Sequence, residues 1–260
     1  MGCFRAPRLG YPLRSEMIDV TTQDGVADAY LARPDDQRRP AVLLVMDAYG
    51  VRPQIERMAD RIATQGYVVL APNVFYRAGR APVVPLDGLG DPDQQGSLLD
   101  RIRPLMGELT PERIVRDGGA YLDRLEQIGR GPVAITGYCM GGRVAWRIAA
   151  AYPERVAALG GFHVGGLVSD DDDSPHRSAG SLAAEVYFGF ADNDRSMPPE
   201  RIAELERALD AAGVRYRSEV YRGAAHGYTM ADTPAYNEAA AERHYAELFA
   251  LLERTLARPG

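Results

Sequence analysis

Hydrophobic and polar positions follow two alternating patterns along the chain. Short, nearly continuous apolar runs are typical of strands buried on both faces, and stretches with apolar residues at helical spacing separate them. The predicted strands are residues 18–22, 26–32, 41–46, 67–71, 133–136, 156–162, 185–190 and 215–221. The predicted helices are residues 53–65, 98–106, 111–128, 142–151, 199–212 and 235–256. Because strands and helices alternate, the pattern predicts an α/β fold in which helices cover both faces of a mostly parallel central sheet.

Two segments depart from this alternation. Asp24 and Gly25 are a favoured pair for a hairpin turn, so the first two strands are expected to form a hairpin. Residues 77–110 contain several glycines and prolines, and we expect this irregular segment to cover part of a pocket. A length of 260 residues suits a single α/β domain, so we expect an N-terminal tail over 1–15 and one domain over 16–260.

The composition narrows the classes of function. Apolar residues make up 46% of the chain and charged residues 25%, as in ordinary soluble globular proteins. The net charge of −6 gives no sign of a basic face, so a nucleic-acid partner is not expected. The longest apolar run, 41–46, is too short to span a bilayer, so a membrane partner is not expected either. We therefore expect a small-molecule ligand, and the sequence leaves open whether the protein is a monomer or a homodimer.

The cysteines, histidines and acidic residues give no sign of a disulfide framework or a metal site. The chain has two cysteines, Cys3 and Cys139, which favours a reducing compartment and a cytoplasmic location. The carboxylates of residues 170–173 are consecutive and point in different directions, as in a solvated loop. The four histidines lack the spacing of zinc ligands. We expect neither a metal nor a cofactor.

One of the cysteines lies in a turn that carries chemistry. The predicted strand 133–136 leads into Gly137-Tyr138-Cys139-Met140-Gly141-Gly142, and a predicted helix follows. This is the Gly-x-Ser-x-Gly nucleophile elbow with cysteine in place of serine. The turn places the thiol at a helix N-terminus, where backbone N–H groups and the helix dipole favour the thiolate. We therefore predict that Cys139 is a nucleophile and that the Met140 amide stabilises an oxyanion. The alternative is a buried structural cysteine.

A thiol nucleophile needs a base, and the residues after the elbow supply candidates. α/β-Hydrolases carry nucleophile, acid and histidine in that chain order. Asp192 and Asp194 follow the predicted strand 185–190, and His226 follows the predicted strand 215–221. Catalytic sites of α/β sheets form at the carboxyl ends of the strands, where these residues are expected. We predict His226 as the base, and at this point both aspartates remain candidates for the acid that orients it.

The other histidines have simpler interpretations. His163 follows the predicted strand 156–162 and could line the pocket, or it could be an ordinary loop histidine. His176 lies in the acidic loop. His244 lies on the last predicted helix, where we expect a solvated surface position.

From about Glu16 to Leu252 the sequence resembles the dienelactone hydrolase family. The likeness rests on the elbow 137–142 and on the motifs at 60–63, 66–67 and 71–72. The resemblance implies an α/β-hydrolase fold that hydrolyses a small ester or lactone through a cysteine and a thioester. The acid of the family stands in Asp-x-x-Val-Pro, which is matched by Asp194-Arg-Ser-Met-Pro198. The resemblance therefore implies Asp194, rather than Asp192, as the orienting acid.

The resemblance also implies residues that contact the substrate. The family places a carboxylate, usually Glu, at the end of the third strand, and this chain has Asp47 there. The amide of Ala48 would be the second oxyanion donor, and Tyr49 would lie beside the substrate. Arg77 matches the first of two arginines that hold the substrate carboxylate, but Met230 stands where the second is expected. A less charged ester is therefore as well supported as the lactone that gives the family its name.

Three other functions remain compatible with these residues. A general thiol esterase without lactone preference shares every catalytic residue. A ligand-binding protein could keep the hydrolase fold and the triad without turnover. A redox thiol protein normally has a resolving cysteine, for which this chain offers only Cys3.

Overall fold

The computed structural model describes residues 13–84, 86–91, 93 and 95–256, and within them the chain folds around one eight-stranded sheet. The strands are β1 Arg14–Thr22, β2 Gly25–Arg33, β3 Pro40–Val45, β4 Val68–Pro72, β5 Arg130–Tyr138, β6 Val156–Phe162, β7 Glu185–Ala191 and β8 Tyr216–Tyr221. Their order across the sheet is β1-β2-β4-β3-β5-β6-β7-β8. β2 is antiparallel to both β1 and β4, and all other neighbours are parallel. The predicted mostly parallel sheet and its hairpin are confirmed.

Helices cover both faces of this sheet, as predicted. They are α1 Pro53–Ala63, α2 Gln95–Gly107, α3 Pro111–Ile128, α4 Met140–Ala151, α5 Pro199–Ala211 and α6 Glu238–Leu256. Two short 3₁₀ turns span Tyr76–Ala78 and Pro175–Ser181. α3 and α4 pack together against one face of the sheet, while α1 and α6 pack against strands of the same sheet and meet through the Arg61–Glu242 ion pair. None of the described helices is long and apolar enough to cross a membrane.

Capping residues decide where two of the helices begin. The Thr110 side chain accepts a hydrogen bond from the Arg113 amide, and Pro111 follows as the first residue of α3. α6 begins at Glu238, later than predicted, because Asn237 caps it by accepting from the Ala240 amide at 3.0 Å. Asparagine is among the best N-cap residues, so the sequence carried this signal.

The first strand begins earlier than the strand predicted over 18–22. β1 begins at Arg14, so the first strand starts before residue 16. Residues 1–12 of the expected tail, including Cys3, lie outside the described residues. In the segment 77–110, α2 begins at Gln95, earlier than the helix predicted over 98–106.

The parallel strands bring the predicted site residues to one edge of the sheet. Asp47 follows β3, Cys139 follows β5, His163 follows β6, Asp194 follows β7 and His226 follows β8. Since the carboxyl ends of parallel strands meet at one edge, residues far apart in sequence meet there.

Candidate active site

The elbow holds Cys139 in a strained conformation. Its φ of 54° and ψ of −122° lie outside the regions that non-glycine residues normally occupy. The backbone is packed tightly around it. A methyl group on Gly137 would lie 2.3 Å from the Gly141 carbonyl oxygen, and one on Gly141 would lie 2.3 Å from the Met46 carbonyl oxygen. The turn therefore has no room for a side chain at either glycine, and α4 begins at Met140, directly after the thiol.

His226 contacts Asp194 and not Asp192. Its Nδ1 lies 2.6 Å from Oδ2 of Asp194. The other carboxylate oxygen of Asp194 accepts from the amide and hydroxyl of Ser196, at 2.8 and 2.7 Å. Asp192 instead accepts from the Gly223 amide at 2.9 Å, and so stabilises the turn after β8. Burial raises the pKa of Asp194, but the hydrogen bonds from His226 and Ser196 outweigh it and hold that pKa below its ordinary value.

The remaining side of the His226 ring faces the thiol. Burial alone would lower the pKa of His226, but hydrogen bonds with Asp194 and Cys139 outweigh it and raise the pKa to about 10. Since Nδ1 is bound to Asp194, Nε2 is the nitrogen left for the sulfur. At neutral pH the imidazole is therefore protonated, and a thiolate on Cys139 would form an ion pair with it.

Two backbone amides, one directly after Cys139 and one in the loop that follows β3, are available as donors. The Met140 amide belongs to the first turn of α4, where N–H groups have no partner within the helix. The Ala48 amide donates to no backbone or side-chain group among the described residues, although Ala48 is buried. Because buried N–H groups are normally paired, these two amides suit a site that binds a developing oxyanion.

Asp47 has partners other than those that the resemblance implies. Arg52 donates to both of its carboxylate oxygens, at 2.6 and 3.1 Å, and both side chains are buried. Arg52 also donates to Asp232, at 2.7 and 3.1 Å. The carboxylate of Asp47 is therefore engaged within the protein rather than free to meet the thiol or a substrate. Arg52 joins the loop after β3 to the loop that follows His226, a link that we did not predict from the sequence.

Tyr49 and His163 both lie at the site. The Tyr49 ring is partly buried under the Arg52 guanidinium, 5.5 Å from its centroid, and interacts electrostatically with Cys139. His163 is fully buried, with its ring edge-to-face against His226 at 5.3 Å and its Nε2 2.7 Å from the Thr229 hydroxyl. Burial lowers the pKa of His163 well below its ordinary value, so the ring is neutral. His163 therefore packs against His226 as an uncharged ring.

Arg77 does not present a free charge to a substrate. It donates to both oxygens of Asp117, at 2.8 and 3.0 Å, and to Asp24 at 2.7 and 3.0 Å. Arg77, which the resemblance assigns to the substrate carboxylate, is therefore already paired with two carboxylates of the protein. Met230, at the position of the second arginine, is buried.

His244 is buried, so the prediction of a solvated surface histidine was wrong. Its Nδ1 donates to the Ala241 carbonyl at 2.7 Å, which leaves Nε2 to accept from the Tyr138 hydroxyl at 3.0 Å. Tyr138 immediately precedes the nucleophile, so His244 ties the elbow to α6. The apolar stripe of α6 carries the missed signal, because Ala241, Leu248 and Leu251 lie on the same helical face.

The acidic loop 170–173 and the segment 77–110 have contacts of their own, apart from those of the site residues. Asp170 pairs with Arg201 at 2.9 Å, and Asp173 pairs with Arg147 at 3.0 Å. A cavity of about 160 Å³ lies between residues 74–78 and the end of α2, where Leu105 and Leu109 line it. That the segment 77–110 covers the active site stays a prediction.

The sequence of nearly the whole chain matches a known family. The model of the dienelactone hydrolase family matches residues 27–256. The chain belongs to the dienelactone hydrolase family. This membership confirms the resemblance, and it makes the protein a hydrolase that acts on ester bonds.

Relatives of this dienelactone hydrolase family member span most of the chain. A Salmonella typhi protein whose name places it among the carboxymethylenebutenolidases is 29% identical over 234 residues, covering 87% of this chain and 82% of its own length. A mouse protein named a carboxymethylenebutenolidase homolog is 29% identical over 222 residues, covering 81% of this chain and 82% of its own length.

Solved structures show the same fold. A Klebsiella pneumoniae structure described as a dienelactone hydrolase has a TM-score of 0.80 at 24% identity, covering 93% of this chain and 99% of its own. A dienelactone-hydrolase-like promiscuous phosphotriesterase from metagenomic libraries has a TM-score of 0.77 at 20% identity, covering 94% of this chain and 99% of its own. The predicted α/β-hydrolase fold is confirmed.

Proposed function

We propose that this protein hydrolyses a small ester or lactone by transferring its acyl group to Cys139 and releasing it with water. The observation that carries the proposal is the contact chain from Asp194 through His226 to Cys139 on a strained elbow. This order of acid, base and nucleophile is the arrangement by which hydrolases activate a weak nucleophile.

The first half of the reaction forms a thioester. The Cys139 thiolate attacks the carbonyl carbon, and the negative charge moves onto the carbonyl oxygen. The Met140 and Ala48 amides stabilise that oxyanion in this proposal, and such stabilisation is commonly the largest contribution to catalysis of this kind. When the intermediate collapses, the bond to the leaving oxygen breaks and protonated His226 supplies a proton to it. The alcohol departs, or the lactone ring opens.

The second half hydrolyses the thioester. His226, now neutral, takes a proton from water as the water oxygen attacks the thioester carbonyl. The carbon–sulfur bond then breaks, the carboxylic acid leaves and the thiolate of Cys139 is restored beside protonated His226. Asp194 keeps the ring oriented through both halves, because its hydrogen bond fixes Nδ1 and leaves Nε2 for the reacting atoms.

Replacement of the nucleophile and the base tests the proposal. Purified wild type, Cys139→Ala and His226→Ala are assayed on small activated esters and on lactones. Both variants should lose nearly all turnover, and unchanged turnover in either contradicts the proposed roles. Asp192→Asn is the matched control, because this carboxylate lies near the site but contacts the Gly223 amide instead of His226.

The same assays separate the two alternatives that share the triad. A lactone preference supports a dienelactone-type hydrolase, whereas equal rates on linear esters support a general thiol esterase. Ligand that binds and is recovered intact supports a catalytically silent protein. We also propose that the reaction takes place in the cytoplasm, because a reducing compartment keeps a thiol nucleophile free.

A further inference from the structure

Ser196 donates twice to the carboxylate that orients the base. Its hydroxyl lies 2.7 Å and its amide 2.8 Å from Oδ1 of Asp194, the oxygen that does not contact His226. The other oxygen, Oδ2, lies 2.6 Å from Nδ1 of His226. The two oxygens of Asp194 therefore have different partners, and Ser196 supplies two donors to the oxygen that the imidazole leaves free.

The two donors of Ser196 have separate origins. The amide belongs to a turn in which an aspartate side chain binds the backbone two residues later, and any residue except proline at position 196 would supply it. The hydroxyl belongs to the side chain, so alanine at this position would lack it. A substitution by alanine therefore removes one donor and keeps the turn.

The hydroxyl lies where the carboxylate meets the imidazole. Oγ of Ser196 is 3.5 Å from Nδ1 of His226. The last torsion of an aspartate is soft, so the carboxylate turns easily unless both of its oxygens are held. Because the Asp194 side chain is only 5% exposed, water has little access to replace a lost donor. The Ser196 hydroxyl is therefore in a position to fix which oxygen faces the base.

The loop that follows β6 holds Ser196 in place. The Gly166 amide donates to the Ser196 carbonyl at 3.3 Å. A methyl group on Gly165 would lie 2.8 Å from Oγ of Ser196, so this glycine leaves the room that the hydroxyl occupies. Ser196 is thus supported by a neighbouring loop as well as by its own turn, and such support is what keeps a positioning group precise.

We propose that Ser196 is a positioning residue for the hydrolysis. Its hydroxyl holds Asp194 so that Oδ2 alone meets His226, and it thereby keeps Nε2 of the imidazole aimed at the reacting atoms. The inference rests on the proposed function and adds a fourth residue to Cys139, His226 and Asp194. In this role Ser196 acts through Asp194 and contacts neither the substrate nor the sulfur.

Three variants test the role of the hydroxyl. Ser196→Ala removes it and keeps the amide donor, whereas Ser196→Thr restores a hydroxyl at the same carbon. Ser169→Ala is the matched control, because the Ser169 hydroxyl donates to Asp171 at 2.8 Å across the same separation of two residues, in the acidic loop. The first measured quantity is kcat/KM on 4-nitrophenyl acetate, and thermal unfolding confirms that each variant is folded.

The second measured quantity reports the contact between base and acid. The Hδ1 proton of His226 lies between Nδ1 and Asp194. A proton in such a short hydrogen bond gives a signal far downfield in the ¹H NMR spectrum, and its loss in His226→Ala identifies it. A serine that served only the turn would leave this signal unchanged.

The expected results follow from the loss of one hydrogen bond to a charged group. Ser196→Ala should lower kcat/KM about 10-fold. Its Hδ1 signal should move upfield and exchange faster with water, because the carboxylate is no longer held toward Nδ1. Ser196→Thr should recover most of the rate and of the signal, since position 196 is exposed and has room for a methyl group in solvent. Ser169→Ala should match the wild type in both measurements.

The inference alone is overturned by any of three results. One is unchanged kcat/KM in Ser196→Ala. Another is a lowered kcat/KM with the Hδ1 signal in its wild-type position or farther downfield, because the hydroxyl would then not hold the base. The third is a Ser196→Thr variant no more active than Ser196→Ala.

Failure of the proposed function looks different. Wild-type turnover that persists in Cys139→Ala, or no wild-type turnover at all, overturns the proposed function, and the role of Ser196 in hydrolysis falls with it. The Hδ1 signal of Ser196→Ala still shows in that case whether the hydroxyl holds the contact between Asp194 and His226.

Discussion

Nδ1 of His226 lies 2.6 Å from Oδ2 of Asp194, and this contact selects one of two neighbouring aspartates. Asp192 lies two residues earlier and points its carboxylate at the Gly223 amide. The same contact helps to raise the pKa of His226 to about 10. The choice of acid and the protonation state of the base therefore depend on one hydrogen bond.

Asp194→Asn should lower kcat/KM and move its pH dependence. Loss of the negative charge lowers the pKa of His226 from about 10, and protonated His226 must supply the proton of the leaving group. The alkaline limb of kcat/KM should therefore shift to lower pH, with a rate loss of about 10²- to 10⁴-fold at neutral pH. A pH–rate profile on an ester, corrected for spontaneous hydrolysis, checks both effects.

Asp192→Asn is the control for that profile, since the amide oxygen can still accept from the Gly223 amide. Its alkaline limb should coincide with that of the wild type. A shifted limb in Asp192→Asn and an unchanged limb in Asp194→Asn would reverse the assignment of the acid.

Arg52→Met should destabilise the folded protein strongly. The substitution leaves the carboxylate of Asp47, which is 3% exposed, buried without its cation. Removing one partner of a buried ion pair costs about 3–5 kcal/mol of unfolding free energy. Urea unfolding at pH 7 measures this loss.

Arg254→Met provides the comparison on the surface. Arg254 also donates two hydrogen bonds to a carboxylate, that of Glu185, but its side chain is 45% exposed. Arg254→Met should lower the free energy of unfolding by less than about 1 kcal/mol. The double variant Arg52→Met, Asp47→Asn should recover part of the stability lost in Arg52→Met, because it removes the uncompensated charge. Equal losses for Arg52→Met and Arg254→Met would contradict the role of Arg52.

Stability should fall as the pH drops below 6.5, because two buried histidines are held neutral. Burial lowers the pKa of His244 from 6.5 to about 3 and lowers that of His163 well below 6.5. Below pH 6.5 the unfolded chain therefore binds protons that the folded protein does not. The stabilisation is present above pH 6.5 and is lost toward acid pH, at about 1.4 kcal/mol per pH unit for each such histidine.

His244→Phe isolates one of these two contributions. Between pH 6 and pH 5 the unfolding free energy of the variant should fall less steeply than that of the wild type. The difference should be about 1.4 kcal/mol per pH unit, the contribution of one histidine. Tyr138→Phe is the matched control, since it removes the hydrogen bond to His244 but keeps that ring buried. It should lower stability at every pH and leave the slope nearly unchanged. An identical slope in His244→Phe and the wild type would contradict a buried neutral His244.

Much of the fold could be predicted because its signals are local. The apolar runs and the Thr110-Pro111 helix start each act over a few residues, and both are confirmed. The first hairpin is confirmed too, but its two turn residues are Gln23 and Asp24, because Gly25 already pairs with Thr22 in β2. The elbow is a local signal as well, because the backbone around Cys139 leaves no room for a side chain at positions 137 and 141. The late start of α6 was missed because Asn237 was not recognised as its cap.

The contacts around the site were harder to predict because they join distant parts of the chain. Arg52 meets Asp232, 180 residues away, and no sequence pattern links them. His244 meets Tyr138 across 106 residues, although its place on the apolar stripe of α6 could have shown that it is buried. The partners of Arg77 likewise come from β-hairpin and helix positions that only the folded chain brings together. Spacing alone could name candidate residues, but it could not show which charges are already paired.

The central claim is that Cys139 carries the acyl group of the substrate, and intact-mass spectrometry tests it most directly. The enzyme is mixed with an activated ester, quenched in acid within the first turnover, and digested to locate any added mass. The account predicts an acyl adduct on the peptide that contains Cys139 in the wild type and no adduct in Cys139→Ala. In His226→Ala, any adduct that forms should accumulate, because the base that activates water is missing. Turnover of the ester by wild type with no adduct on Cys139, or undiminished turnover by Cys139→Ala, would contradict the account.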